Sequence, residues 1–360
     1  MKSDFRLNHE ILVYGSGTFA LSMISELEDL GHVILGVIDH QNIGKNICGR
    51  NTIYPVRDLS EVDIIDGVQI VLAICNLHGD LTGISSRLPL HADLVSPVKL
   101  FRYFAHKGLS LENYWLTTNF KIYSDSVSEI AAFRESLADE NSKILFDAIK
   151  QYRQFGEIFD LPFPRPLSEQ YLAEDLSTPP KELMVIDLGA CRGENLADFI
   201  AAGFRFSGGF LLEPDESNLA ILTEQLRFLN IETLSTHKLG AWKETTTLRF
   251  DATGNTGATL ALDGIAMVDV VALDEFVPAE FVPNFVKLDI EGAELEALEG
   301  MSGLIQTHTP HLAVSVYHKP SDLWVLGNFL SQKFPNKYDF YLRVYGHQTF
   351  DTLLYAVPRK

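Results

Sequence analysis

Apolar and polar positions along the chain fall into blocks that repeat one pattern twice. Near the start, ILVYGSGTFALSMISELEDLGHVILGVID passes from an apolar run through a glycine turn to a helical period and a second apolar run, which predicts a βαβ unit. Within its helix Met23, Ile24, Leu27 and Leu30 share one face, while Glu26, Glu28 and Asp29 fall largely elsewhere. Another apolar run, VQIVLAIC, follows a turn-rich stretch containing Asn42, Gly44 and Gly49. Residues 1–110 are therefore expected to form a small parallel sheet with helices on its faces.

The pattern changes over residues 111–180. There SVSEIAAFRESLADENSKILFDAIKQYRQF sets Ile144, Leu145, Ala148, Ile149, Tyr152 and Phe155 at helical spacing, which predicts a helical connector. The connector runs into LPFPRPLSEQYL and STPPKE, whose prolines remove donors and disfavour helix. A second fold is expected to begin near Glu182.

That second fold, residues 181–360, opens with MVIDLGACRGENLADFI, again a buried strand, a glycine turn and a helix, with an acid two positions before the first glycine. The next strand, GGFLLEPDESN, ends in Glu213, roughly two dozen residues past that turn, the spacing of a carboxylate that takes ribose hydroxyls. Leu219, Leu222, Leu226 and Leu229 then line one helix face. Further apolar strands follow in THKLGAW, FVKLDIEG, HLAVSVYH, YDFYLRVYG and TLLYAVP, the last two joined by a turn-like GHQTFD that predicts antiparallel pairing. The expected fold class is α/β: two Rossmann-like doubly wound domains joined by a helical connector. The C-terminal domain is expected to have the mixed seven-stranded sheet of a class I methyltransferase.

Composition narrows the partners. With 360 residues and 46% hydrophobic content the chain can bury two sizeable cores. A net charge of −19 repels phosphate backbones and anionic headgroups, so neither nucleic acid nor membrane is an expected partner. MKSDFRLNHE lacks an apolar h-region, and the apolar runs fall far short of the roughly 20 residues that span a bilayer, pointing to a cytoplasmic location. Cys48, Cys75 and Cys191 show no CxxC spacing and read as reduced thiols. No HxH or HExxH pattern suggests a metal, so metal-independent chemistry is expected.

Two turns carry candidate chemistry. In the first, Gly15 and Gly17 would let the backbone approach a phosphate, with Asp39 at the ribose position; equally, the glycines permit a tight turn and Asp39 caps the next element. In the second, DLGACRGEN, EPDESN, LGAW, VVALDEF, VKLDIEGAELEALEGM and SVYHKPSDLWVL, in that order, together resemble the FkbM family of S-adenosylmethionine methyltransferases over roughly residues 180–360. The resemblance implies O-methylation of hydroxyls on a saccharide or other small-molecule natural product. Cys191 and Arg192 depart from the family's usual small or polar turn residues. The N-terminal part is similar to small Rossmann-like domains fused to some sugar-modifying enzymes.

On that resemblance the cofactor is S-adenosyl-L-methionine. Gly189, Ala190 and Gly193 would offer backbone donors and a bare surface to its methionine end, Asp187 would hold its ammonium, and Glu213 would accept from both ribose hydroxyls. Strand alternation sets Lys287, Asp289 and Glu291 on one face at the carboxyl edge, with Asp289 at the cofactor–acceptor junction. Asp289 and His318 compete as general base, His318 having the ordinary pKa better suited to neutral pH, with Glu291 as a further candidate. Glu294 falls in the first helical turn and is expected to be mainly structural. Trp242 is placed near the adenine or in the core; Tyr341, Arg343 and Tyr345 either contact an acceptor or mark a half-exposed edge strand. Two other readings compete: an NAD-dependent oxidoreductase using the N-terminal turn, which lacks an obvious Tyr/Lys or Cys pair, and a silent S-adenosylmethionine-binding module. A homo-oligomer is compatible with all three.

Overall fold

The first apolar run forms strand β1 (Glu10–Tyr14), in which Ile11, Leu12, Val13 and Tyr14 are all buried, as a central strand covered on both faces requires. The computed structural model to which it belongs describes residues 5–62, 64, 67–250 and 266–359. The chain divides into two compact units. One comprises Met1–Ser126, Asp147–Pro164 and Gly346–Phe350; the other comprises Val127–Phe146, Arg165–Tyr345 and Asp351–Lys360. Among the described residues no helix is long and apolar enough to cross a membrane.

In the first unit, β1 leads through α1 (Thr18–Asp29) to β2 (Val33–Ile38), then β3 (Asn46–Cys48), β4 (Ile53–Arg57) and β5 (Gln69–Leu72). Next come α2 (Leu81–Ser85), β6 (Asp93–Val95), α3 (Pro97–His106), a small hairpin of β7 (Glu112–Asn113) and β8 (Leu116–Thr117), and α4 (Lys121–Asp125). The sheet order is β3-β4-β2-β1-β5-β6, parallel except where β3 meets β4. Helix α1 buries Ala20, Met23, Ile24 and Leu27, close to the expected face. Helix α3 begins where its sequence dictates: the Ser96 hydroxyl accepts from Lys99 N–H and Pro97 fills the first turn. Segment 346–350 belongs to this unit's core, with Phe350 against Trp115 and Gln348 Nε2 donating to Gly79 O at 3.0 Å.

The expected connector is divided between the units, and it is helical in α4, α5 (Val127–Ser136) and α6 (Glu140–Phe155). The buried side of α6 differs from the expected one. Ser142, Phe146, Ile149, Tyr152 and Arg153 are buried, whereas Ile144 is 65% exposed. Polar residues join that face because they find partners, as Ser142 Oγ does in accepting from Leu342 N–H at 2.9 Å.

The second unit continues with β9 (Glu182–Leu188), α7 (Leu196–Ala201), β10 (Arg205–Leu212), α8 (Glu216–Phe228), β11 (Leu234–His237), β12 (Gly240–Ala241), β13 (Thr246–Phe250) and β14 (Ala266–Val271). After α9 (Leu273–Phe276) come β15 (Phe285–Leu288), α10 (Glu294–Gly300), α11 (Ser302–His308), β16 (His311–Ser315), α12 (Asp322–Lys333), β17 (Tyr338–Val344) and β18 (Thr352–Pro358). Its main sheet is seven-stranded and mixed, in the order β11-β10-β9-β15-β16-β18-β17, with β18 antiparallel to both neighbours. The seven strands are those read from the sequence, with one difference. THKLGAW is not one strand: β11 begins earlier, at Leu234, and stops at His237, and Gly240–Ala241 pairs instead with β14 in a separate three-stranded sheet. The buried side of α8, Leu222 and Leu226 with Leu219 and Leu229 partly buried, packs on Val185, Leu211 and Phe285 and so fixes the strand ends that carry the site.

Candidate functional site

Strands β9, β10, β15 and β16 run parallel, so their carboxyl ends meet along one edge of the sheet. At the first end Gly189 adopts φ 76°, and a Cβ there would lie 1.9 Å from the Asp289 carbonyl oxygen. Only glycine allows the tips of β9 and β15 to come this close. Register sets Lys287 opposite Asp187, and its Nζ donates to Asp187 Oδ1 at 2.8 Å and to the Gly189 carbonyl at 2.7 Å. Burial disfavours the Lys287 ammonium, but Asp187 and then Asp289 more than offset this, so the lysine stays charged. Asp187 is thus half of a buried ion pair, engaged by the lysine at Oδ1.

The turn that follows uses its own donors. Gly189 and Ala190 N–H both donate to Leu212 O, and Gly193 N–H to Ala190 O. These three residues therefore do not offer the free backbone donors expected of them. A Cβ on Gly193 would meet Leu222 at 2.8 Å and Leu196 at 2.9 Å, so this glycine serves close helix packing. Glu213, at the tip of β10, is 6% exposed and accepts from Cys191 N–H through Oε2 and from Asp215 N–H through Oε1, each at 2.9 Å. Burial raises its pKa despite these bonds.

The other half of the edge is a cluster of acids around one histidine. The chain leaves β15 through Asp289 and Ile290, turns at Glu291 (φ 56°) and Gly292 (φ 98°), and enters α10 at Glu294. His318 lies three residues beyond β16. Its Nδ1 is 2.8 Å from Glu294 Oε1; its Nε2 faces Asp289 Oδ1 at 3.3 Å and Glu291 Oε2 at 3.5 Å. Glu294 Oε1 also accepts from Ile290 N–H, and Asp289 Oδ2 accepts from the Tyr171 hydroxyl at 2.6 Å. Sequence reasoning missed Tyr171, and it missed Asp351, whose carboxyl hydrogen-bonds Tyr317.

Burial alone would depress the His318 pKa, but Glu294 first, and Asp289 and Glu291 after it, raise it to about 10. His318 is therefore an imidazolium at neutral pH, a donor where a base was expected. Glu291 moves the other way. Burial, with the negative charges of Asp289 and Glu294 added, raises it to about 8 against the pull of His318. Asp322 and Asp351 are also raised by burial, to about 7 and about 6. The cluster holds more carboxyls than it can keep ionised together, so protons are shared within it. Among the described residues no group of three or more His, Cys, Asp or Glu is arranged to hold a metal ion.

The weaker candidates find other places. Trp242 is half-buried and packs against Val268 and Val270. Arg343 is neither open to an acceptor nor half-exposed: it is buried, with Asp139 at 2.8 Å and Asp175 at 2.7 Å. The outer side of β17 is covered, since Ala138 N–H donates to Phe340 O. In the first unit Asp39 accepts from Ser16 N–H at 3.0 Å and Ser16 Oγ at 2.6 Å. Gly15 is required at φ 117°, where a Cβ would meet Ala73 O at 2.7 Å, while the space at Gly17 is open.

A seven-stranded sheet of this order is the fold of a solved methyltransferase. Residues 187–348 match the family model of the methyltransferase FkbM domain. The structure is similar to that of methyltransferase FkbM from Methylobacillus flagellatus KT, at 21% identity and a TM-score of 0.76, covering 98% of this chain and 90% of that one. A remoter likeness is to an rRNA methylase from Streptococcus thermophilus, at 17% identity and a TM-score of 0.34, covering 55% of this chain and 99% of that one. No curated protein matches the chain.

Proposed function

We propose that the second unit transfers a methyl group from S-adenosyl-L-methionine to a hydroxyl of a saccharide or other small-molecule acceptor. The observation that carries this reading is the single sheet edge along which Glu213, Asp289, Glu291 and His318 lie. The residues fit the cofactor. Each Glu213 oxygen takes one backbone N–H, which leaves each with capacity for a ribose hydroxyl. The Asp187–Lys287 pair is neutral overall, which suits a zwitterionic amino-acid group. When bound, S-adenosyl-L-methionine supplies a methyl group on a sulfonium, open to in-line displacement.

The chain's own residues then have separable tasks. Glu291 is the proton acceptor: its Oε2 is buried, accepts no hydrogen bond, and belongs to a carboxyl with a pKa of about 8, close to the working range of a general base. His318, as an imidazolium, steadies Glu291 once it is ionised. Asp289 faces the same histidine nitrogen and keeps the ring in place, with Glu294 on the other side. The oxidoreductase alternative has less to draw on at Asp39, whose Oδ2 already accepts from Ser16 N–H, Ser16 Oγ and Asn42 Nδ2.

Calorimetry with S-adenosyl-L-methionine, S-adenosylhomocysteine and NAD tests the cofactor. Binding of the first two and not the third is expected, while binding of NAD alone would overturn the reading. Mass spectrometry of extracts incubated with methyl-labelled S-adenosyl-L-methionine tests the transfer and identifies the acceptor.

A further inference from the structure

Residues 165–180 precede the matched domain and read in sequence as a proline-marked boundary, yet one of their side chains reaches the acid cluster. Tyr171 is 3% exposed, and its backbone sits at φ 69°, a conformation that a tyrosine adopts only when its surroundings hold it. What holds it is specific. Its N–H donates to the Tyr355 hydroxyl at 3.0 Å, and that hydroxyl is 2.7 Å from the hydroxyl of Tyr345. Its side chain points into the rim: the hydroxyl donates to Asp289 Oδ2 at 2.6 Å, and the ring lies 5.1 Å from Lys287 Nζ. Tyr171 therefore touches both halves of the edge, the Lys287–Asp187 pair and the Asp289–His318 contact.

We propose that Tyr171 is a positioning residue that fixes Asp289, and through it His318, so that the imidazolium stays directed at Glu291. The proposal rests on the methyl-transfer reading for its kinetic consequence, but the geometry it asserts is open to a test of its own. A carboxylate engaged at one oxygen only can turn about its last bond; Asp289 is engaged at both, by a hydrogen bond from Tyr171 on Oδ2 and by ionic contact with the His318 ring 3.3 Å from Oδ1. A donor of this kind to a carboxylate is stronger than a neutral hydrogen bond, and the donor itself is buried, Tyr171 being 3% exposed. The Tyr171 ring, 5.1 Å from Lys287 Nζ, also favours the cation where it lies.

The test uses the full chain carrying Tyr171→Phe, which keeps the ring and removes the hydroxyl. In a histidine-labelled sample the His318 ring signals, read by NMR, are expected to move and its ring N–H to exchange faster with water. Unchanged His318 signals in the folded variant would overturn the proposal. With methyl-labelled S-adenosyl-L-methionine and the acceptor fraction that the wild type labels, kcat is expected to fall about tenfold or more, with KM for S-adenosyl-L-methionine within about threefold. A rise in KM at unchanged kcat would likewise overturn it. Combined with Asp289→Asn, the two losses are expected to be non-additive; additive losses would show that Tyr171 does not act through Asp289. Should Tyr171→Phe fail to fold, Asp289→Asn in a tyrosine-labelled chain decides the matter, because the Tyr171 ring signal must shift when its acceptor becomes neutral. A wild type that labels no acceptor defeats the methyl-transfer reading, and the two NMR measurements still settle the place of Tyr171.

Discussion

The two glycine turns of this chain hold their acids in the same way. In the first unit Asp39 accepts from the turn through Ser16 N–H and from its own following loop through Gln41 N–H; in the second, Glu213 accepts from Cys191 N–H and Asp215 N–H. Each acid thus takes one backbone donor from the turn and one from two residues on. Their chemistry nonetheless diverges. The Ser16 hydroxyl adds a third strong bond to Asp39, and although burial pushes the other way, the bonds from Ser16 and Gln41 hold its carboxyl below the usual range. At Glu213 the turn residue is Cys191, whose thiol is a weak donor, and burial wins. Backbone geometry fixes where such an acid stands, and the neighbouring side chains decide what remains for it to do.

The largest effect that would separate the two sites concerns the acid cluster, which the first unit lacks among its described residues around Asp39. Glu291→Gln is expected to lower transfer by roughly 10²–10⁴-fold with affinity for S-adenosyl-L-methionine retained, measured by labelled product and by calorimetry. Next, Glu213→Ala should weaken S-adenosyl-L-methionine binding by about 10–100-fold, the scale of losing charged hydrogen bonds to two hydroxyls, while Asp39→Ala leaves it unchanged. Equal losses in both variants would break the comparison.

Titration sharpens it further. As the proton acceptor Glu291 must be ionised, so transfer is expected to rise with pH and level off above about 8. Stability follows from the same shifts. Because the folded state raises Glu291 from its ordinary value to about 8, that group costs stability progressively as pH climbs through this window. His318, raised to about 10, contributes fully below its ordinary value of 6.5 and loses that contribution as pH approaches 10. Asp39, held low, contributes above its ordinary value and loses this as pH falls. Urea unfolding across pH should therefore show Glu291→Gln stabilising at pH 8 and near neutral at pH 4, with Asp39→Asn destabilising at neutral pH and harmless in acid. The smallest effect is that of Ser16→Ala, expected to cost about 1 kcal/mol by the same measurement.

Much of this was legible in the sequence. Six of the seven strands of the main sheet stood out as apolar runs, the central parallel ones because strands buried on both faces must be apolar; β11 (LSTH) did not. The acids at the strand tips followed, since Asp187, Glu213, Asp289 and Glu291 each close such a run. What escaped depends on contacts distant in sequence. The split of THKLGAW depends on whether β14 or β10 captures each half. The protonation of His318 depends on three carboxylates 24 to 29 residues away or on another strand's tip, which no spacing rule marks. The internal use of the Gly189 and Ala190 donors, and the arrival of Tyr171 from a segment rich in prolines, are equally products of tertiary closure.

The segment between β17 and β18 carries one more consequence. Gly346–Phe350 is part of the first unit, although nearly two hundred residues separate it from Pro164, the previous point at which the chain contributes there. Arg153, Trp115 and Gly79 must wait for Thr349, Phe350 and Gln348 to leave the ribosome before their contacts can form. The early portion of this protein is thus expected to dwell on its translating ribosome half-closed, a natural client for chaperones, and no single cut of the gene will release either half as a finished body.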